Sequence, residues 1–264
     1  MKYKLGVIGI GVMGQAILSC ILDKGILKKS EIGIYDVCRE KTNVFNDIAV
    51  FSSASDLISN SEFILLAIKP QHFDELAKSV SFKSENRIIS IMAGFKISKI
   101  KEKITGCCPI ARVMPNTPCK IGQGMCAVAF DGLTENDRNF VISVLSACGK
   151  VIPINEDHFD AVTSISGSGP AYVYMFIDAM INGGTDGGLT YEQSKTLTIQ
   201  TLIGTALLAL NSNESMTELT EKVCSKGGTT IEAVNVYRQK GLDALIREGI
   251  AACKKRSEEM GKLL

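Results

Sequence analysis

The residues best suited to chemistry stand near the start of the sequence. Gly9-Ile10-Gly11-Val12-Met13-Gly14 is a G-x-G-x-x-G run between a β-branched segment, Lys4–Ile8, and an amphipathic stretch, Gly14–Lys24. In a strand–turn–helix setting each glycine has its own task. Gly9 permits the tight turn, Gly11 lets a pyrophosphate approach the main chain, and Gly14 allows the helix to pack closely on the strand. The free N–H groups at the helix start, at the positive end of its dipole, bind phosphate. The run predicts a dinucleotide site; a glycine-rich turn of purely structural use is the alternative.

Two further positions bear on that site. Asp36 ends the second strand candidate, about twenty residues past the glycines, where an acidic side chain hydrogen-bonds ribose hydroxyls. That placement favours NADH, whereas Arg39 and Lys41 close behind it suit the 2′-phosphate of NADPH, and the preference stays open. A solvated turn residue is the plainer reading of Asp36. The third strand candidate runs into Ala67-Ile68-Lys69-Pro70, just past a strand C-terminus, where ligands bind in open α/β sheets. Lys69 either contacts the cofactor or is a solvated loop cation, and His72 reads as a surface or capping residue.

The elements that must position these groups alternate. Strand candidates are Lys4–Ile8, Ile32–Tyr35, Phe63–Ala67, Ile88–Ile91, Pro109–Met114, Met125–Phe130 and Val151–Ile154. Between them lie helical stretches such as Gln71–Ser79 and Glu135–Cys148, the latter expected to be capped by Gly149. Strands separated by helices imply right-handed crossovers and a doubly wound, mostly parallel sheet of Rossmann type over residues 1–154. From 155 to 264 no strand is predicted. Apolar residues recur there at helical spacing between breaks at Gly167-Ser168-Gly169-Pro170, Gly183-Gly184, Gly187-Gly188 and Gly227-Gly228, which predicts an all-α domain of about five helices. Ala161–Met180 and Leu189–Leu210 are apolar on more than one face, so a helix-to-helix subunit interface is expected, the alternative being one deeply buried central helix in a monomer.

Composition narrows the function. The 264 residues carry 29 Lys+Arg and 28 Asp+Glu, a net charge of +1, which lacks the basic footprint of a nucleic-acid or membrane-surface binder. Nine cysteines without C-x-x-C spacing, and only two histidines, argue against zinc and against a disulfide framework. Glycines interrupt the first apolar run, so it does not read as a signal peptide. Leu197–Leu210 is too short to span a bilayer. A reduced, cytoplasmic protein is expected.

Several segments resemble pyrroline-5-carboxylate reductase. They are the glycine run, Ala67-Ile68-Lys69-Pro70, Ala93-Gly94, Arg112-Val113-Met114-Pro115-Asn116-Thr117-Pro118, Gly167-Ser168-Gly169-Pro170-Ala171-Tyr172 and Gly227-Gly228-Thr229-Thr230. They stand in the family's order along nearly the whole chain. The resemblance implies reduction of the cyclic imine 1-pyrroline-5-carboxylate to L-proline with NADPH or NADH, the last step of proline biosynthesis. It places the cofactor against Gly9, Ile10, Gly11, Val12, Met13, Gly14, Asp36, Ala67, Ile68, Lys69, Pro70 and Ala93. It places the substrate against Ser225, Gly227, Gly228, Thr229 and Thr230, contributed by the helical domain of a neighbouring subunit. It also implies that 155–264 is a dimerisation domain in an interlocked homodimer, and that such dimers can assemble further into rings. Three residues depart from the family pattern: Lys226 and Met216 stand where Pro is common, and Ala54 where many members have Asn.

The chemistry suits the residues. A protonated imine is already electrophilic, so little acid–base machinery is needed beyond positioning. The N–H groups of Gly227, Gly228 and Thr229, at a helix start, suit a carboxylate, with the Ser225 hydroxyl as a further donor. Thr230 either touches the ring nitrogen, as the catalytic group, or caps the helix. Gly167–Pro170 either opens a helix or walls the cleft. Two rivals remain. One is a reductase of the β-hydroxyacid dehydrogenase kind, with Lys195 as its catalytic candidate; the other is a nucleotide-sensing protein without catalysis.

Overall fold

The computed structural model describes residues 2–104 and 106–263. The outer ends of the two expected domains, Met1 and Leu264, lie outside the described residues. The first half alternates as its pattern predicts: β1 (Tyr3–Ile8), α1 (Val12–Asp23), β2 (Ile32–Tyr35), β3 (Ala49–Val50), α2 (Ala54–Asn60), β4 (Ser61–Leu66), α3 (Phe73–Ser79) and β5 (Arg87–Ser90). There follow α4 (Ile97–Lys103), β6 (Ile110–Met114), β7 (Gly124–Asp131), α5 (Glu135–Ser146) and β8 (Gly149–Pro153). The order in the sheet is β3-β2-β1-β4-β5-β6-β7-β8, parallel throughout except between β6 and β7. β3, only two residues long, carries no sequence signal of its own.

Both faces of the sheet are buried, as parallel sheets require. One face packs Val7, Phe63, Leu65 and Ile89 against Ile17, Ile21, Val141 and Leu145 of α1 and α5. The other packs Ile64, Leu66 and Ile88 against Leu57, Phe73 and Ile100 of α2, α3 and α4. This is the doubly wound α/β fold that the alternation implies.

The strand order reverses at β1, which lies between β2 and β4. In such sheets the ligand crevice opens at this switch point, outside the strand C-termini. Register fixes its rim. Ile8 is level with Tyr35 of β2 and Leu66 of β4, and Leu66 is level with Ser90 of β5. Gly9, Asp36 and Ala67 therefore all stand one residue past the same line.

The remaining elements are helical: α6 (Phe159–Val162), a π-helical turn Thr163–Gly167, α7 (Gly169–Asp186), α8 (Tyr191–Leu210), α9 (Met216–Val223), α10 (Thr229–Gln239) and α11 (Leu242–Leu263). The compact units divide elsewhere than at 154/155. Residues through Ser168, together with those from Cys253 onward, cluster with the sheet, and Gly169–Ala252 form the second unit. Ser257 of α11 donates to Asp160 at 2.6 Å, which ties the last helix to α6 within the first unit.

Two glycine expectations are corrected. Gly183-Gly184 does not break a helix but lies inside α7, because a Cβ on Gly184 would overlap the Ser194 hydroxyl of α8. Gly149 does not cap α5, which ends at Ser146; it begins β8 at φ +142°, where a Cβ would overlap the Gly124 main chain of β7. Among the described residues no helix is long and apolar enough to cross a membrane, and no group of three or more His, Cys, Asp and Glu is placed to hold a metal ion.

Candidate active site

At the switch point the glycine turn follows β1 directly. Gly9 adopts φ +98°, and a Cβ there would lie 2.6 Å from the Ala67 carbonyl. A Cβ on Gly14 would overlap the Gly9 carbonyl. Both glycines are thus demanded by close packing. Gly11 differs: it is the N-cap of α1, and a Cβ on it would meet nothing within 4 Å. Its missing side chain leaves that space open. Val12, exposed, and Met13, partly buried, open the helix whose first-turn N–H groups have no acceptor a turn upstream. These residues fit a pyrophosphate.

The neighbouring strand ends contribute the rest of the rim. Ala67 N–H donates to the Ile8 carbonyl at 2.8 Å, which seats Ala67 and Ile68 beside the glycine turn. Lys69 is exposed, and Pro70 and His72 bound a short 3-10 turn. Beyond β5, Ala93 is exposed and Gly94 takes φ +73°.

Asp36 is on this rim, but its carboxylate turns inward. Oδ2 accepts from the Ile10 N–H at 2.6 Å and Oδ1 from the Cys38 N–H at 2.8 Å, with the Lys41 ammonium 3.7 Å away. The side chain is only 6% exposed. Neither an open acceptor for ribose nor a solvated turn residue describes it. Arg39 and Lys41 are exposed beside it.

In the second unit, Ser225–Thr230 forms a tight turn into α10. Gly227 takes φ +73°, the Gly228 N–H donates to the Ser225 carbonyl at 3.0 Å, and a Cβ on Gly228 would overlap the Ser225 hydroxyl. Gly228 is the N-cap, with Thr229 and Thr230 as the first helical residues. The helix-cap alternative for Thr230 therefore falls away. The turn presents main-chain N–H groups at a helix start, a suitable arrangement for an anion.

The family model described as NADP oxidoreductase, coenzyme F420-dependent, matches residues 4–94, and that of pyrroline-5-carboxylate reductase dimerisation matches 156–260. The pyrroline-5-carboxylate reductase of Aquifex aeolicus (strain VF5) is 36% identical over 267 residues, covering 100% of this chain and 98% of that protein. That of Escherichia coli (strain K12) is 32% identical over 268 residues, covering 99% and 100%. The chain belongs to the pyrroline-5-carboxylate reductase family. A crystal structure of the Plasmodium falciparum pyrroline carboxylate reductase with NADP bound agrees at a TM-score of 0.90 and 30% identity over 99% of each chain. A reductive aminase of Aspergillus terreus, at 15% identity and a TM-score of 0.58, shares the fold.

The Arg112–Pro118 motif serves the frame. Arg112, buried on β6, pairs with Glu156 at 2.8 Å and lies 4.6 Å over the Phe159 ring. Glu156 also accepts from the Ile97 N–H at the start of α4, at 2.8 Å. The Asn116 amide donates to the Ser166 carbonyl at 3.2 Å and accepts from the Met125 N–H at 2.8 Å. A Cβ on Gly167 would overlap the Met114 methyl. Residues 112, 114 and 116 thus hold the chain between the sheet and α7, a role the spacing alone does not reveal. Gly169-Pro170 opens α7, as the helix-start reading of Gly167–Pro170 expects.

The reductase's departures from its family pattern are mild in structure. Met216 follows Ser215, whose hydroxyl accepts from the Glu218 N–H to cap α9. Lys226 is exposed, and Ala54 is buried at the start of α2. Lys195, the candidate of the rival hydroxyacid reading, is exposed over the Tyr191 ring.

Proposed function

We propose that this chain reduces 1-pyrroline-5-carboxylate to L-proline with NADPH or NADH, closing proline biosynthesis. The observation that carries the reading is end-to-end similarity to reductases of that name. When bound, the reduced nicotinamide supplies the hydride that the C=N carbon of the imine accepts. Gly9–Gly14, with Ala67, Ile68, Lys69, Pro70 and Ala93, hold the cofactor, and Asp36 supports that set. Ser225, Gly227 and Thr229 hold the substrate carboxylate through N–H and hydroxyl donors, and Gly228, whose own N–H is bound to the Ser225 carbonyl, lets the carboxylate approach. The Thr230 hydroxyl accepts from the iminium N–H and so orients the ring. A protonated imine brings its own proton on nitrogen, so no strong general acid is required.

The chain works as a homo-oligomer. Its second unit leaves Val173, Tyr174, Phe176, Leu197, Leu207 and Leu208 exposed, a patch of the kind that marks subunit contacts. We infer an interlocked homodimer, able to build rings, in which the substrate segment serving each cofactor site comes from a neighbouring subunit. The sheet domain, 1–154, carries the cofactor, and the helical domain, 155–264, carries dimerisation and substrate binding. Nine free cysteines favour a reducing, cytoplasmic setting.

Steady-state oxidation of NADPH and NADH with the imine tests the activity. Turnover with either cofactor supports it. Turnover of a hydroxyacid with NAD and none with the imine would select the rival reductase, and binding without any turnover would select the sensor.

A further inference from the structure

An acidic residue after the second strand reads ribose hydroxyls only if its lone pairs face the crevice. In this chain both carboxylate oxygens are engaged by main-chain N–H groups and the side chain is only 6% exposed. Asp36 gives one oxygen to the Ile10 N–H at 2.6 Å and the other to the Cys38 N–H at 2.8 Å, and Lys41 stands at 3.7 Å. Ile10, fully buried between Gly9 and Gly11, has its carbonyl bound as well, by the Gln15 amide at 3.1 Å. The Gly9 N–H donates to the Tyr35 carbonyl at 2.8 Å. Two consecutive N–H groups of the glycine turn are therefore stapled to the end of β2, the second by a charge-assisted bond, the stronger kind.

We infer that Asp36 is a positioning residue. It fixes the glycine turn so that the amides of Gly11 to Gly14 face the pyrophosphate, and it takes no part in telling a ribose 2′-hydroxyl from a 2′-phosphate. This rests on the cofactor reading of the turn. A carboxylate that tells the two cofactors apart does so at the adenosine 2′ position, a free hydroxyl in NADH and a phosphate in NADPH. A turn that positions pyrophosphate serves both cofactors equally.

The experiment titrates NADH and NADPH into Asp36→Ala and Asp36→Asn by nicotinamide fluorescence and measures KM and kcat with each cofactor. Both dissociation constants should rise together in Asp36→Ala, by about tenfold for a lost charged hydrogen bond, and their ratio should stay within about twofold of wild type. Asp36→Asn, which keeps one acceptor oxygen, should fall between, and KM for cofactor should rise more than kcat falls. A loss confined to NADH would overturn the inference in favour of a ribose contact. No loss with either cofactor would overturn it, and so would failure of both variants to fold, since the carboxylate would then serve the fold alone. Gly11→Val is titrated in parallel. If that variant keeps normal affinity, the cofactor site itself is misplaced, a failure distinct from any Asp36 result.

Discussion

Gly11 and Gly14 belong to one motif, yet the structure gives them opposite reasons to be glycine, and a pair of substitutions separates them. At Gly11, φ −77° and ψ −175° suit any L-residue, and an added Cβ meets nothing within 4 Å. The expected stability cost of Gly11→Val is below about 1 kcal/mol, the scale of a poorer N-cap. Its isopropyl group fills the space the pyrophosphate needs. Losing two charged hydrogen bonds at about 1.5 kcal/mol each weakens cofactor binding by about 3 kcal/mol, or roughly 100-fold. At Gly14 an added Cβ overlaps the Gly9 carbonyl. Gly14→Ala must displace main chain, at a cost of about 3 kcal/mol and a fall in melting temperature of roughly 6–10 °C. Thermal melts without cofactor, set beside fluorescence titrations of NADPH, read both quantities. Wild-type affinity in Gly11→Val, or equal destabilisation by the two changes, would refute the assignment of separate tasks.

Three other outcomes follow from the same geometry. Thr230→Ala should lower kcat by about tenfold, the worth of one hydrogen bond to a charged group, while NADPH affinity changes less; unchanged turnover would remove Thr230 from the chemistry. Glu156→Gln leaves the buried Arg112 guanidinium without its counter-charge and should cost about 3 kcal/mol in urea denaturation, whereas a change under about 1 kcal/mol would show that the pair does not brace the frame. Burial works against the charged form of Asp137, but the Thr134 hydroxyl and the Arg87 guanidinium, 3.2 Å away, outweigh it and hold the carboxyl below its ordinary value. A depressed folded-state pKa adds stability above the unfolded value of about 3.9 and loses it as pH falls through the folded one. The stability gap between wild type and Asp137→Asn should therefore be present at neutral pH and shrink below about pH 4; a gap independent of pH would contradict the ion pair.

Much of the sheet was legible because periodicity reports burial. Runs such as Phe63–Ala67 lie within two residues of the observed strands, since both faces are covered and each run must be apolar throughout. What escaped was of another kind. β3 is too short to carry a period. Gly184 looked like a breaker because a missing side chain looks the same in sequence whether it frees the backbone or admits a neighbouring helix. For Asp36 the position on the rim was legible, but the direction of its carboxylate was not, because that depends on two N–H groups 26 residues behind and 2 residues ahead. Arg112 and Asn116 were visible as a motif, while their partners at Glu156 and Ser166 become neighbours only once the antiparallel β6–β7 pair is built.

The two units also differ in what stabilises them. In the first, α1 buries Ile17, Leu18 and Ile21 against the sheet, so its apolar stripe is satisfied within the chain. In the second, the buried residues of α8 are Ser194 and Thr198, while Leu197, Ile203, Leu207, Leu208 and Leu210 are exposed. That inverts the pattern of a helix in a monomeric domain, where the apolar stripe faces the core. The Ser194 hydroxyl donates to the Ile181 carbonyl at 2.7 Å, and with Gly184 it lets α7 and α8 approach closely on small residues, leaving the large ones facing outward. The hydrophobic stabilisation of these helices is thus available only on assembly.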